Sequence, residues 1–110
     1  RAVADCAASA RRAGLDERIV AVREDADQYE PTQRYVDAIV LDPPRRGAGA
    51  LMQRIVTART PRVVLVSCDP RAAVRDTRVL REAGYRLVGA QGFDLFVDTH
   101  HLELATSWSL

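Results

Sequence analysis

Lysine is absent from this 110-residue sequence, and cysteine is scarce. All 16 basic residues are arginine. Either codon bias or a need for side chains that bind phosphate would produce this exclusive use of arginine. With 15 acidic residues the net charge is only +1, so the charge alone does not indicate a nucleic-acid-binding surface. The two cysteines, Cys6 and Cys68, are too few for a disulfide scaffold and lack zinc-site spacing. We therefore expect a cytoplasmic protein without a bound metal.

Long apolar runs are missing as well, since none approaches the roughly 18 residues of a membrane span. We expect no membrane contact. At 47% hydrophobic and 28% charged residues, the composition is that of one globular domain rather than a disordered chain. The sequence opens at Arg1 inside a helical pattern that has no capping residue before it. We therefore expect residues 1–110 to be a piece of a longer chain, called the parent chain below.

Short apolar segments alternate with helical segments along the sequence. Near-continuous Val/Ile/Leu strands of this kind favour an α/β fold with a mostly parallel sheet covered by helices on both faces. No helix separates the last two strands, so we expect them to form an antiparallel C-terminal edge. The predicted helices are 1–13, 50–58 and 70–83, and the predicted strands are 18–22, 36–41, 62–67, 85–90 and 101–108. Ligands of such sheets bind beyond the carboxyl ends of the strands.

Cys68 is the strongest chemical signal at those strand ends. It follows the apolar strand 62–67 and precedes Asp69 and Pro70, which are typical of the N-cap and first position of a helix. A thiol beside a helix N-terminus is favoured as the thiolate, and Arg71 adds positive charge. Cys68 is therefore either a nucleophile or a small residue packed at the end of a strand.

Two further strand ends carry carboxylates. Asp42, Pro43, Pro44 and Arg45 open the segment DPPRRG, where two prolines fix φ and remove backbone donors, so that the loop is stiff. Such a loop either orients a polar ligand or is a simple turn with its arginines in solvent. After the predicted strand 18–22, Glu24, Asp25 and Asp27 form an acidic loop that is either solvated or contributes a carboxylate to a ligand.

The remaining candidates depend more on their surroundings. Glu103 shares a face with His101 in an extended segment, and the neighbouring His100 points elsewhere, so these residues do not form a metal site. Asp76 falls on the apolar stripe of helix 70–83 and needs a fixed partner, for example an arginine, which indicates a structural rather than a catalytic role. Cys6 lies among alanines, and we expect it in the core.

Three ordered motifs together resemble the catalytic domain of the RNA (uracil-5-)-methyltransferases, which use S-adenosylmethionine. They are LDPPRRGAGA at 41–50, VVLVSCDPRAAVRDTRVLREAGY at 63–85 and FDLFVDTHHLE at 93–103. The resemblance implies a Rossmann-like class I methyltransferase fold. It also implies that residues 1–110 are the C-terminal part of that domain, because the glycine-rich cofactor loop and central strands of the family lie upstream. We expect activity only in the parent chain.

The resemblance assigns a role to each candidate residue. Cys68 would be the nucleophile that adds to C6 of a uracil in RNA, and Glu103 the general base that removes the C5 proton. Asp42 and Asp25 would belong to the cofactor pocket. The loop residues Pro43, Pro44 and Arg45 would position the substrate. The stretch 75–85 is slightly more similar to the ribosomal-RNA members than to the transfer-RNA members.

Departures from the family pattern leave alternatives to uracil methylation. Val97 and Asp98 stand where the family has proline and a polar or aromatic residue. Cytosine-C5 enzymes carry a second cysteine where Arg45 stands, and amino-methylating enzymes carry an aromatic residue there, so uracil is favoured. The other alternative is a catalytically silent RNA-binding paralogue.

Overall fold

Three α-helices and four strands are present in the computed structural model, which describes residues 1–33, 35–96, 98–99 and 101–110. They are α1 (Ala2–Arg12), β1 (Ala38–Leu41), α2 (Ala50–Thr57), β2 (Arg62–Ser67), α3 (Pro70–Glu82), β3 (Arg86–Phe93) and β4 (Glu103–Ser109). Two 3₁₀ helices, Ala26–Gln28 and Pro31–Gln33, precede β1. These helices and strands confirm all but one of the predicted elements, with ends within three residues of the predictions.

The four strands form one mixed sheet in the order β1-β2-β4-β3. β1 and β2 are parallel, with Ile39 opposite Val63. β4 lies between β2 and β3 and is antiparallel to both, so the predicted antiparallel C-terminal edge is confirmed. Since two of these three strand pairs are antiparallel, the parallel character of the sheet is confined here to β1 and β2.

The core lies between one face of this sheet and the helices α2 and α3. Alternate residues of the strands point into it, and the helices contribute apolar side chains at helical spacing. Its buried members include Leu51, Met52, Ile55, Val63, Leu80, Tyr85 and Trp108. Burial of each large apolar side chain contributes about 1.5–3 kcal/mol. The Tyr85 hydroxyl donates a hydrogen bond to the Thr60 carbonyl at 2.7 Å, so its polar atom is satisfied within the core.

The prediction that helices cover both faces of the sheet is wrong for this chain. α2 and α3 pack into the same cluster, and no described residue of α1 belongs to it. On the opposite face Val40 is 70% exposed and Val88 is 62% exposed. Cys6 of α1 is also exposed, which corrects the expectation that it lies in the core.

Residues 18–22, which were predicted to form a strand, are irregular in the structure. Val20 is 79% exposed there, and Val22 is 61% exposed. A strand is stable only where a neighbouring strand satisfies its backbone groups. In the described part of the chain, no strand pairs with 18–22, and β1 pairs only with β2. The apolar alternation of this segment is therefore insufficient to form a strand here.

Candidate active site

The strand register brings Cys68 and Glu103 to the same end of the sheet. Ser67 and Leu104 form the last residue pair between β2 and β4. Cys68 follows Ser67 and Glu103 precedes Leu104, so each lies one residue beyond this last pair, at the same end of the sheet. A thiol and a carboxylate can therefore act on one ligand at this edge.

Cys68 is half-buried in the short connection from β2 to α3. The next residue, Asp69, is the N-cap of α3, and its Oδ1 accepts hydrogen bonds from the N–H groups of Arg71 at 2.8 Å and Ala72 at 3.2 Å. The predicted N-cap and the predicted proline at the start of the helix are thereby confirmed. The N–H groups of Ala72 and Arg71 lower the pKa of Asp69, desolvation opposes them, and the charges of Arg71 and Arg75 lower it further.

Asp69 should give the protein an acid-dependent stability. Its pKa in the folded chain lies below its ordinary value of 3.8, so its contribution is fully present above pH 3.8 and is lost as the pH falls through the folded pKa. Asp69→Asn keeps a capping oxygen without the charge. We expect this variant of the parent chain to melt at a lower temperature at pH 7 and to converge with the original in acid. Thermal melts from pH 7 down to about pH 3 measure this, and a difference independent of pH would contradict it.

Glu103 has a buried carboxylate oxygen without a hydrogen-bond donor among the described residues. The residue is half-buried, and its Oε2 atom is fully buried. A buried carboxylate oxygen without a donor is unfavourable unless another group reaches it.

The loop after β1 meets the segment before β4 at the same edge. Asp42 directly follows β1 and is exposed, and Pro43 and Pro44 come next. The Nη2 atom of Arg45 lies 3.1 Å from Nε2 and 3.4 Å from Nδ1 of His101, so the guanidinium lies against the imidazole ring. Since His101 is two residues from Glu103, this contact connects the proline loop to the candidate base.

Phe96 extends this contact along the segment 93–103. Its ring meets the imidazole of His101 edge-on, with centroids 6.2 Å apart and an interplanar angle of 79°. Thr99 closes a turn by donating its hydroxyl to the Phe96 carbonyl at 2.8 Å. Asp98 adopts a positive φ of 60°, which Asp tolerates better than most residues. Val97, a departure from the family pattern, and His100, which was predicted to point away from Glu103, lie outside the described residues.

One ion pair ties the acidic loop to the proline loop, and a second ties the segment after it to α2. Asp25 caps the 3₁₀ helix Ala26–Gln28, since its Oδ1 accepts the Asp27 N–H at 3.0 Å. The Asp27 carboxylate pairs with Arg46 at 3.0 Å, and Arg54 of α2 donates to the Asp27 carbonyl and pairs with Glu30 at 3.2 Å. Asp25 is thus two residues from a direct link to the loop that carries Asp42. The sequence analysis missed these pairs, because their members are far apart in the chain.

Asp76 of α3 holds the far end of the proline loop. The residue is 4% exposed, and its Oδ2 accepts a hydrogen bond from the backbone N–H of Ala48 at 2.8 Å. The neighbouring Arg75 donates to the carbonyl of Arg46 at 3.1 Å. The expected fixed partner of Asp76 exists, but it is a backbone amide and not an arginine. A carboxylate on an apolar helical stripe was the sequence signal for this anchor.

None of the described helices is long and apolar enough to cross a membrane. Within the same residues, no group of three or more His, Cys, Asp or Glu side chains is arranged to hold a metal ion.

Comparison with known proteins identifies the family. The sequence model of the tRNA (uracil-5-)-methyltransferases matches residues 11–108. The chain belongs to this family. This confirms the resemblance that the three motifs indicated.

Curated relatives include two proteins named 23S rRNA (uracil(1939)-C(5))-methyltransferase RlmD. The one from Cronobacter sakazakii is 43% identical over 82 residues, which cover 74% of this chain and 19% of the relative. The one from Photobacterium angustum is 38% identical over 107 residues, which cover 94% of this chain and 49% of the relative. The chain therefore spans half or less of the length of these relatives.

A solved structure supports the fold assignment. It is the tRNA (uracil-54, C5)-methyltransferase of Pyrococcus abyssi in complex with S-adenosyl-L-homocysteine. It superimposes with a TM-score of 0.71 at 27% identity, covering 90% of this chain and 25% of the archaeal protein. The predicted Rossmann-like methyltransferase fold is thereby confirmed for this portion of the domain.

Proposed function

We propose that this chain is the C-terminal part of the catalytic domain of an S-adenosylmethionine-dependent RNA (uracil-5-)-methyltransferase. The observation that carries the proposal is that Cys68 and Glu103 lie at the same end of the sheet, each one residue beyond the last β2–β4 pair, beside the loop that begins at Asp42. A nucleophile and a base at one ligand-binding edge suit a reaction that adds a thiol to a base and later removes a proton. The relatives span two to five times the matched length, so the activity belongs to the parent chain.

Cys68 begins the reaction by attacking C6 of the target uracil as a thiolate. The new S–C6 bond moves the electron pair of the C5–C6 double bond towards C5, with the O4 carbonyl sharing the charge. Uracil C5, which is otherwise unreactive, becomes a carbon nucleophile. A half-buried thiol at the end of β2 reaches a base only after the base has left its stack, so the target is flipped out or lies in a loop.

Glu103 completes the reaction. After C5 has gained a methyl group, it still carries its original proton, and the base remains bonded to Cys68. The buried Oε2 of Glu103, which has no donor among the described residues, takes that proton. The electron pair of the C5–H bond re-forms the C5–C6 double bond, and the S–C6 bond breaks to return the thiolate. Position, burial and a free lone pair suit Glu103 to this role.

The carboxylates at the edge fit S-adenosylmethionine by their chemistry. The cofactor carries a cationic sulfonium, and its ammonium, ribose diol and adenine amine donate hydrogen bonds. Carboxylates attract such cations and accept such hydrogen bonds. Asp42 is exposed at the end of β1, and Asp25 is exposed in the acidic loop joined to it through Arg46. When bound, the cofactor supplies the electrophilic methyl group. Asp42 and, through the acidic loop, Asp25 would hold it.

Arg45, His101 and Phe96 form the substrate side of the site. Guanidinium, imidazole and phenyl groups all stack on nucleobases, and arginine also binds phosphate. The two curated relatives described above are named for 23S rRNA, which favours rRNA as the substrate. RNA substrates and a reactive free thiol fit the reducing cytoplasm.

A trapping experiment tests the proposal. The parent chain is incubated with S-adenosylmethionine and RNA that contains 5-fluorouridine, and denaturing gels are searched for a protein–RNA adduct. Fluorine at C5 cannot leave as a proton, so we expect the adduct to persist and its peptide to contain Cys68. RNA binding without an adduct on total cellular RNA, with cofactor binding established, would indicate the silent RNA-binding paralogue instead.

A further inference from the structure

We propose that Asp76 is a positioning residue that fixes the loop 44–48 and thereby presents Arg45 to the substrate. The inference rests on the proposed function and extends it to a residue of α3 whose side chain is 4% exposed. Asp76 touches neither Cys68 nor Glu103 in the contacts that the structure gives. It acts through the backbone of the loop.

The first observation is a buried carboxylate bonded to a loop amide. Asp76 Oδ2 accepts the Ala48 N–H at 2.8 Å, across 28 residues of sequence. A helix that needed only to pack would carry an apolar residue at this position, because burying a carboxylate is unfavourable and an apolar replacement is often neutral or stabilising. A carboxylate at this position instead fixes the orientation of a loop amide through its hydrogen bond.

The second observation is the fit of Gly47 against the same carboxylate. Gly47 has φ +90°, and a Cβ at this position would lie 2.8 Å from Asp76 Oδ2 and 3.2 Å from Oδ1. The Ala72 Cβ would be 3.3 Å away. The loop backbone therefore rests directly on Asp76, and only glycine fits between them.

The third observation is that two adjacent residues of α3 form hydrogen bonds with the backbone of the loop. Arg75 donates to the Arg46 carbonyl at 3.1 Å, one residue before Gly47. The other end of the loop is stiffened by Pro43 and Pro44. Arg45 lies between these fixed ends and contacts His101, which is two residues from the candidate base. The same helix begins two residues after Cys68, so α3 relates the loop to the nucleophile.

The test compares variants of the parent chain at a temperature well below their melting temperatures. We expect Asp76→Ala to lower the single-turnover rate of methyl transfer by about tenfold to a hundredfold, the loss typical of a misplaced reacting group. Asp76→Asn, which retains an acceptor oxygen, should restore most of the rate. Amide hydrogen exchange should accelerate at Ala48 in Asp76→Ala and stay slow in Asp76→Asn. A purely structural role would lower the melting temperature and accelerate exchange at Ala48, but would leave the rate of methyl transfer unchanged.

Glycine variants provide an independent test of the proposal if Asp76→Ala does not fold. Gly47→Ala places a methyl group against Asp76, whereas Gly84→Ala places one in open space at a nearly identical φ of +93°. Both substitutions strain the backbone, at roughly 1–3 kcal/mol for a residue forced into a disfavoured region. We expect only Gly47→Ala to slow methyl transfer. Equal rates in the two glycine variants would overturn the proposal.

The two proposals fail in different ways. A parent chain that forms no fluorouridine adduct counts against the methyltransferase assignment, and exchange at Ala48 still shows whether Asp76 holds the loop. An active parent chain whose Asp76→Ala variant has the original rate of methyl transfer counts against the positioning role alone.

Discussion

Replacing Glu103 by glutamine in the parent chain should leave RNA covalently attached to the protein. In the proposed mechanism, addition of Cys68 to the uracil and methylation of C5 do not require Glu103, but removal of the C5 proton does. The amide cannot accept that proton, so the methylated adduct should accumulate to nearly one equivalent per enzyme. Turnover should fall by about 10²–10⁴-fold, the range typical for loss of a general base.

The measurement is a denaturing gel of ordinary RNA incubated with Glu103→Gln and S-adenosylmethionine. Mass spectrometry of the digested adduct should find the methylated base on the peptide that contains Cys68. Glu82→Gln is a matched control, because Glu82 is an exposed acid at the last position of α3. Wild-type turnover in Glu103→Gln would refute the assigned role, and another group would then have to remove the proton.

Replacing Cys68 by alanine should abolish methylation at an earlier step. Without the thiolate no adduct forms at C6, and C5 never becomes nucleophilic. We expect the rate to fall by on the order of 10⁴-fold or more, as when the nucleophile of a covalent mechanism is removed. RNA binding should persist, because Arg45, His101 and Phe96 remain in place.

Cys6→Ala is the matched control for this variant. Cys6 is the other free cysteine and is exposed on α1, outside the core cluster. Methyl transfer to RNA is followed with labelled S-adenosylmethionine, and RNA affinity is measured separately. The roles are ordered, so a double variant of Cys68 and Glu103 should form no adduct and behave as Cys68→Ala does. Retention of substantial methylation by Cys68→Ala would rule out the covalent pathway.

Local sequence patterns sufficed where the structure depends on local interactions. The Val/Leu alternation of β2 and the Asp69–Pro70 start of α3 are short-range signals, and both are confirmed. The segment 18–22 has the same kind of apolar pattern and is not a strand, because a strand also needs a neighbour that no local pattern supplies. The open sheet face at Val40 has the same origin, since coverage depends on what packs against it.

The candidate site divides in the same way. Because ligands bind beyond the carboxyl ends of the strands, the sequence predicts Asp42, Cys68 and the 93–103 segment at one edge of the sheet. The resemblance to the family motifs supplied their proposed roles. The placement of Cys68 and Glu103 at the same end of the sheet depends on the register between β2 and β4, which the sequence does not specify. The apolar stripe of α3 indicated that Asp76 needs a partner, but no local pattern identifies that partner as an amide 28 residues away.

The residues that set the register of β4 are different from the segment that connects β4 to β3. Val63 stands opposite Trp108 and Leu65 opposite Thr106, and these buried residues fix β4 against β2. A slip of one residue would turn Glu103 to the other face of the sheet. The segment 94–102, in contrast, connects β3 to β4 without setting that register. Under the proposed function, insertions and substitutions there would alter which RNA is accepted and would leave Glu103 at the same end of the sheet as Cys68, so that the same two residues would serve substrates of different shape.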